Sequence, residues 1–164
     1  MRLRPLDERG LTLTEVTIVA AIGTIVLLGM GGFYLNSQAT WLDASAQSIT
    51  QREITMVTQA IVDSVRTSGE VVGSNNPDVE HGMLTLRKTT GGTAFYYYWW
   101  DATDSLVHGG TSPGAPDDHA MMQSVVERFA VSTVGTMVRV DLRARSTAGQ
   151  RVQFGGSARW RNQP

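Results

Sequence analysis

At 164 residues the chain has room for one modest domain and one further element. With 41% hydrophobic and 18% charged residues it is too apolar to be disordered throughout, and a net charge of −1 gives no global pull toward nucleic acid or an acidic membrane. Cysteine is absent, which excludes disulfides, thiolate metal sites and cysteine nucleophiles.

The chain opens with Met-Arg-Leu-Arg-Pro-Leu-Asp-Glu-Arg-Gly, in which Arg2, Arg4 and Arg9 precede an apolar run. From Val16 to Leu35 there are 20 positions without a charge. As an α-helix they would extend about 30 Å, the thickness of a bilayer core. The arginines predict that the N-terminal end stays in the cytoplasm and that everything after Leu35 lies outside. An ordinary secretory signal would place small residues after its apolar stretch. Phe33, Tyr34, Leu35 and Asn36 match that poorly, so the apolar run is expected to remain part of the protein.

Arg9-Gly10-Leu11-Thr12-Leu13-Thr14-Glu15 leads directly into Val-Thr-Ile-Val-Ala-Ala-Ile. This segment resembles the class III signal of type IV prepilins and pseudopilins. The resemblance implies removal of a leader, residues 1–10, by a prepilin peptidase cutting between Gly10 and Leu11. Leu11, standing where the family usually has Phe, would become an N-methylated terminus. It further implies that Glu15 pairs with the N-terminal amine of a neighbouring subunit. The implied partners are other pilin or pseudopilin subunits, the peptidase/methylase and an inner-membrane assembly platform, with no cofactor. The implied location is the bacterial inner membrane, single-pass, with the C-terminal domain periplasmic, and then the filament. Independently of the resemblance, a carboxylate costs roughly 2.5–3.5 kcal/mol at the centre of a membrane helix and less near its end. At a helix N-terminus the macrodipole favours an anion. The plain alternative is a signal anchor in which Glu15 is only an interfacial polar group.

The helix is expected to continue past the membrane. Gln38 to Arg66 contains neither Pro nor Gly, and Leu42, Ala46, Ile49, Met56 and Ala60 recur at helical spacing, with Val57, Ile61 and Val65 widening the stripe. Thr67-Ser68-Gly69 reads as the stop. The whole helix, from about Leu11 to Ser68, would be about 80 Å long, with a membrane half at 11–35 and a periplasmic half at 36–68. Gly23, Gly29, Gly31 and Gly32 each weaken it by roughly 1 kcal/mol relative to Ala. Gly29, Gly31 and Gly32 serve either flexibility, as a proline does at the Gly32 position in many pilins, or close packing of membrane helices.

Residues 69–164 form the predicted head. Gly69 to Pro77 and Gly109 to Pro116 read as loops. Strands are predicted at Met83–Thr89, Thr93–Trp100, Ser105–His108, Ser124–Thr133, Thr136–Arg145 and Arg151–Arg161. Val138, Val140, Leu142 and Ala144 alternate with Arg139, Asp141, Arg143 and Arg145, and Val152 and Phe154 continue the apolar face. That is the mark of an antiparallel sheet with one buried face. The predicted fold is therefore α+β, a long N-terminal transmembrane helix whose second half packs on a C-terminal antiparallel β-sheet, as in pilins.

Little in the head suggests catalysis. No nucleophile motif, phosphate-binding loop or paired carboxylates occur, and the expectation is that the protein is not an enzyme. Phe95 to Trp100 is either an exposed partner surface or a central strand covered on both faces. His81, His108 and His119 show no ligand spacing, so no metal is expected, although Asp101, Asp104, Asp117 and Asp118 could supply oxygen ligands to calcium. Acidic residues dominate from Glu70 to Ala120 and arginines from Met121 onward. The function expected from the resemblance is a minor pilin or minor pseudopilin of a type IV pilus or type II secretion pseudopilus. The rivals are a DNA-binding or adhesive tip pilin and the plain signal anchor.

Overall fold

The computed structural model describes residues 12–74 and 80–160. The leader, Gly10, Leu11 and the expected strand end at Arg161 lie outside the described residues. The structure is α+β: one long, N-terminally apolar helix, with antiparallel sheets packed against it. The helix is α1 (Leu13–Thr67), followed by β1 (Glu70–Ser74), β2 (Met83–Arg87), β3 (Phe95–Asp101), β4 (Leu106–Gly110), β5 (His119–Ala120), β6 (Val125–Val134), β7 (Met137–Arg145) and β8 (Arg151–Arg159). The chain divides into two compact units, Met1–Leu42 and Asp43–Pro164.

The ends of α1 are capped by its own sequence. At the start, the Thr12 amide donates to Glu15 Oε2 at 2.8 Å and the Glu15 amide donates to Thr12 Oγ1 at 3.4 Å. This is a reciprocal capping box that satisfies two amides the helix cannot pair itself. At the finish, the Ser68 amide donates to the Ser64 carbonyl at 2.9 Å and its hydroxyl to the Val65 carbonyl at 2.8 Å.

The head holds two sheets where the sequence suggested one. Five strands pair in the order β1-β2-β3-β4-β5, and three in the order β6-β7-β8, all antiparallel. The two sheets are joined by the Phe129 amide donating to the Glu80 carbonyl at 2.8 Å and the Val126 amide donating to the Ser105 carbonyl at 2.8 Å. β1 falls in the stretch read as the loop Gly69–Pro77, because its two valines show no alternation and only pairing with β2 makes it a strand. β5 is two residues paired with β4, too short for any sequence pattern. The β6–β7 turn is tight: Val134 pairs with Met137, and Gly135 takes a φ of +59°, where a side chain would be strained.

The core is built from one face of α1 and both sheets. Ile54, Val57, Ile61 and Val65 of the helix pack with Leu84, Tyr98, Phe129 and the inner residues of β7. The β7 alternation holds: Val138, Val140, Leu142 and Ala144 are buried, and Arg139 and Arg145 are exposed. The helix also comes close to β8, where a Cβ added to Gly156 would sit 2.7 Å from Thr58 Cγ2. Two assignments change. The buried helix stripe runs through Thr50, Ile54, Thr58, Ile61 and Val65, whereas Leu42, Ile49, Met56 and Ala60 are exposed. With 100° per residue, Ile49 and Met56 lie roughly 130–150° round the helix from the centre of the buried face. Phe154 is 38% exposed despite pairing with buried Leu142, because β8 is the free edge of its sheet.

Candidate functional site

The N-terminal segment carries the residues singled out from the sequence. Glu15 is held by its own chain: besides the Thr12 amide, its Oε2 accepts the Thr12 hydroxyl at 2.9 Å. Its charge is thus met by a helix cap two residues past the expected cut. From Thr12 to Leu42 every side chain is exposed except at Gly23, which is intermediate. The large apolar side chains from Leu13 to Leu35 among them are all more than half exposed. Helix α1 runs without a break through Gly29, Gly31 and Gly32. A Cβ at any of the three would meet nothing within 4 Å. The space beside them is open, which leaves room for the close approach of another helix.

In the head, Phe95 to Trp100 is a covered central strand. Tyr96, Tyr98 and Trp100 pack on the core. The Tyr98 and Ser64 hydroxyls are hydrogen-bonded at 2.6 Å, and Trp100 Nε1 donates to the Val126 carbonyl at 3.2 Å. On the opposite face Trp99 is only 8% exposed. Packing Tyr98 and Trp100 on the core with their polar tips satisfied is a structural use of aromatics.

The histidines behave in a way their spacing did not suggest. Antiparallel pairing sets His108 opposite Trp99, on the face that also carries Asp101. His108 Nδ1 lies 2.7 Å from Asp118 Oδ1, and Nε2 lies 2.8 Å from Asp104 Oδ2. Asp118 Oδ2 also accepts the Gly114 amide at 2.9 Å, so the ring ties the β3–β4 turn to the loop over β4. Asp101, Asp104 and His108 each present one ligand atom, all within 4.8 Å of one another, and could hold a divalent cation. Asp117 is not among them: it accepts the Thr111 hydroxyl at 2.7 Å and the Thr111 amide at 3.0 Å. The available sequence signal was Asp101, Asp104 and His108 on one predicted hairpin; Asp118 joins only through the fold.

Both ring nitrogens of His108 face carboxylates, and both can donate only in the protonated ring. Burial pushes its pKa down, but the hydrogen bonds to Asp118 and Asp104 outweigh this and the net direction is up. A histidine with a raised folded-state pKa contributes stability that is complete below its unfolded value of about 6.5. The contribution disappears as pH rises through the elevated folded value. Melting temperature should therefore fall as pH is raised across that window, and His108→Gln should flatten the dependence in thermal melts at matched ionic strength.

The arginine-rich sheet is less open to nucleic acid than its composition suggests. Glu127 Oε1 accepts from Arg145 at 2.7 Å and Oε2 pairs with Arg151 at 2.9 Å. Arg143 donates to Gln153 at 3.1 Å, which in turn donates to Asp141 at 2.9 Å. Trp160, which stands between Arg159 and Arg161 in the sequence, packs against the core. Comparison with protein-family models, with curated proteins and with solved structures finds no match.

Proposed function

We propose that this chain is a structural subunit of a membrane-assembled filament, a minor pilin or minor pseudopilin, released for assembly by cleavage between Gly10 and Leu11. The observation that carries the reading is the exposed apolar surface of α1. It covers the segment 12–42 and continues at Ile49 and Met56, which are 59% and 56% exposed, on a face other than the one docked to the sheets. Lipid satisfies the 12–42 part of this surface in the monomer, and neighbouring helices satisfy the whole of it in a bundle. The resemblance of residues 9–15 to a prepilin signal supplies the route from one to the other. The head, with Tyr98, Trp99 and Phe129 buried and most of its described arginines paired within the chain, then serves as an outward-facing structural domain.

A second reading has one observation in its favour. Glu15 is already hydrogen-bonded within its own chain, as it would be in a plain signal anchor. Processing separates the two. Mass spectrometry of the protein from its native membrane should find a mature N-terminus at Leu11 carrying one methyl group, with residues 1–10 gone. Recovery of Met1 on the membrane-resident protein rejects the filament-subunit reading and leaves the anchor.

A further inference from the structure

The charge-free stretch that begins at Val16 does not end with the bilayer core. The next charged residue is Asp43, so 27 positions, 16 through 42, carry no charge. At 1.5 Å per residue they measure about 40 Å, the thickness of a whole bilayer with its headgroup layers and not of the hydrocarbon alone. The end of this stretch coincides with an independent boundary, the division of the chain into compact units between Leu42 and Asp43. The side chains just before that boundary have the chemistry of a membrane–water interface. Tyr34, Trp41 and Leu42 are 61%, 70% and 60% exposed. Tyr34, Gln38 and Trp41 are spaced i, i+4, i+7 on one face, with Gln38 Nε2 donating to the Tyr34 hydroxyl at 2.6 Å.

We propose that the membrane segment of this chain ends at Leu42 and not at Leu35, and that Tyr34, Gln38 and Trp41 form an anchor seated in the headgroup layer of the outer leaflet. The inference rests on the reading of α1 as a membrane span but not on the filament role. Tyrosine and tryptophan concentrate at this depth because each has an apolar body and a polar tip. Trp41 lies six residues past Leu35, about 9 Å along the axis. Its side chain leans back toward the helix N-terminus and so toward the lipid. The exposed apolar residues beyond the boundary, Ile49 and Met56, have Asp43, Arg52 and Glu53 around them in sequence and belong to the aqueous side. The occupant of the Tyr34–Trp41 face in the monomer is thus the lipid headgroup boundary and not another helix.

Because the chain has no cysteine, single nitroxide labels can be placed without removing native thiols. The full chain would be labelled at Thr24→Cys, Ala39→Cys and Ser48→Cys in phosphatidylcholine–phosphatidylglycerol vesicles. Collision with oxygen, which partitions into lipid, would be compared with collision with a water-soluble nickel chelate. The expected result is a lipid-buried label at Thr24, a headgroup-depth label at Ala39 with nickel access several-fold below that at Ser48, and a water-exposed label at Ser48. In parallel, Trp41→Phe should abolish most of the tryptophan quenching caused by lipids brominated near the headgroup. A label at Ala39 as open to nickel as that at Ser48, with Thr24 still buried, overturns the proposal and leaves the span intact. Occlusion of Ala39 from both reagents that deepens with protein-to-lipid ratio overturns it in favour of a neighbouring helix. Unchanged quenching in Trp41→Phe overturns the anchor. Water access at Thr24 removes the span itself.

Discussion

Glu15→Val should yield a chain that is cut, resides in the membrane and fails to enter filaments. Insertion should not suffer, since removing a charge from an apolar segment makes it easier. Assembly should suffer because a buried subunit terminus carries a positive amine, and leaving it without a counter-charge costs about 3–5 kcal/mol, by analogy with other broken buried pairs. At each contact that is a factor of roughly 150 to 5,000, enough to remove the subunit from sheared filament fractions on immunoblots. The hydrogen bonds from Thr12 to Glu15 add a complication with its own control. Losing a capping interaction costs about 0.5–2 kcal/mol of helix stability, with no neighbour involved. Thr12→Val removes the hydroxyl part of the cap and keeps the carboxylate. Assembly of Thr12→Val at normal levels alongside failure of Glu15→Val assigns the effect to a partner outside the chain. Equal loss in both variants assigns it to the cap, and normal assembly of Glu15→Val removes the ion pair from the account.

The largest effect within the head should come from Phe129→Ala. Phe129 is fully buried, and its β6 strand pairs with β7 through Leu142. The Phe129 amide meets the Glu80 carbonyl, so it stands where the two sheets join. Truncating a buried phenylalanine to alanine costs about 3–5 kcal/mol through lost transfer energy and the cavity left behind. Domains of this size are commonly stable by about 5–15 kcal/mol, so the variant should lose a large share of its margin. Urea titration followed by tryptophan fluorescence should show a much lower midpoint with unchanged slope. Phe129→Leu should lose distinctly less. A loss below about 1 kcal/mol in Phe129→Ala would mean that the sheets close over the gap, which partial relaxation of a core rarely achieves.

The parts of this protein legible in the sequence are those set by local pattern. The β7 alternation from Val138 to Arg145 is unambiguous because a strand with one wet face must alternate. The long helix follows from the absence of breakers between Gln38 and Arg66. The Thr12-x-x-Glu15 spacing of a capping box was also present to be read. What escaped depends on pairing at a distance. β1 is a strand only because β2 lies beside it, and β5 only because of β4. The buried face of α1 was read correctly at Val57, Ile61 and Val65 and misplaced at Leu42, Ile49, Met56 and Ala60, because the helix has two apolar stripes and a sequence does not say which one the sheets take. Thr50 and Thr58, which flank Ile54 and Ile61 on the buried one, carry hydroxyls and look like surface residues. Thr50 tolerates burial because its hydroxyl lies 3.2 Å from the Ala46 carbonyl, to which it can donate, and 3.0 Å from the Ser124 hydroxyl. The His108 cluster draws Asp118 from ten residues away across the loop that follows β4.

The two stripes of α1 have a consequence for how this protein can change over evolutionary time. Substitutions on the Ile54–Val65 face alter the energy of the fold, and substitutions at Ile49 and Met56 fall outside that core. The outer stripe can therefore drift toward a new neighbour while the inner one is held constant by the sheets. If the chain assembles as proposed, two selective pressures, one for folding and one for company, act on a single helix and leave separate records along it.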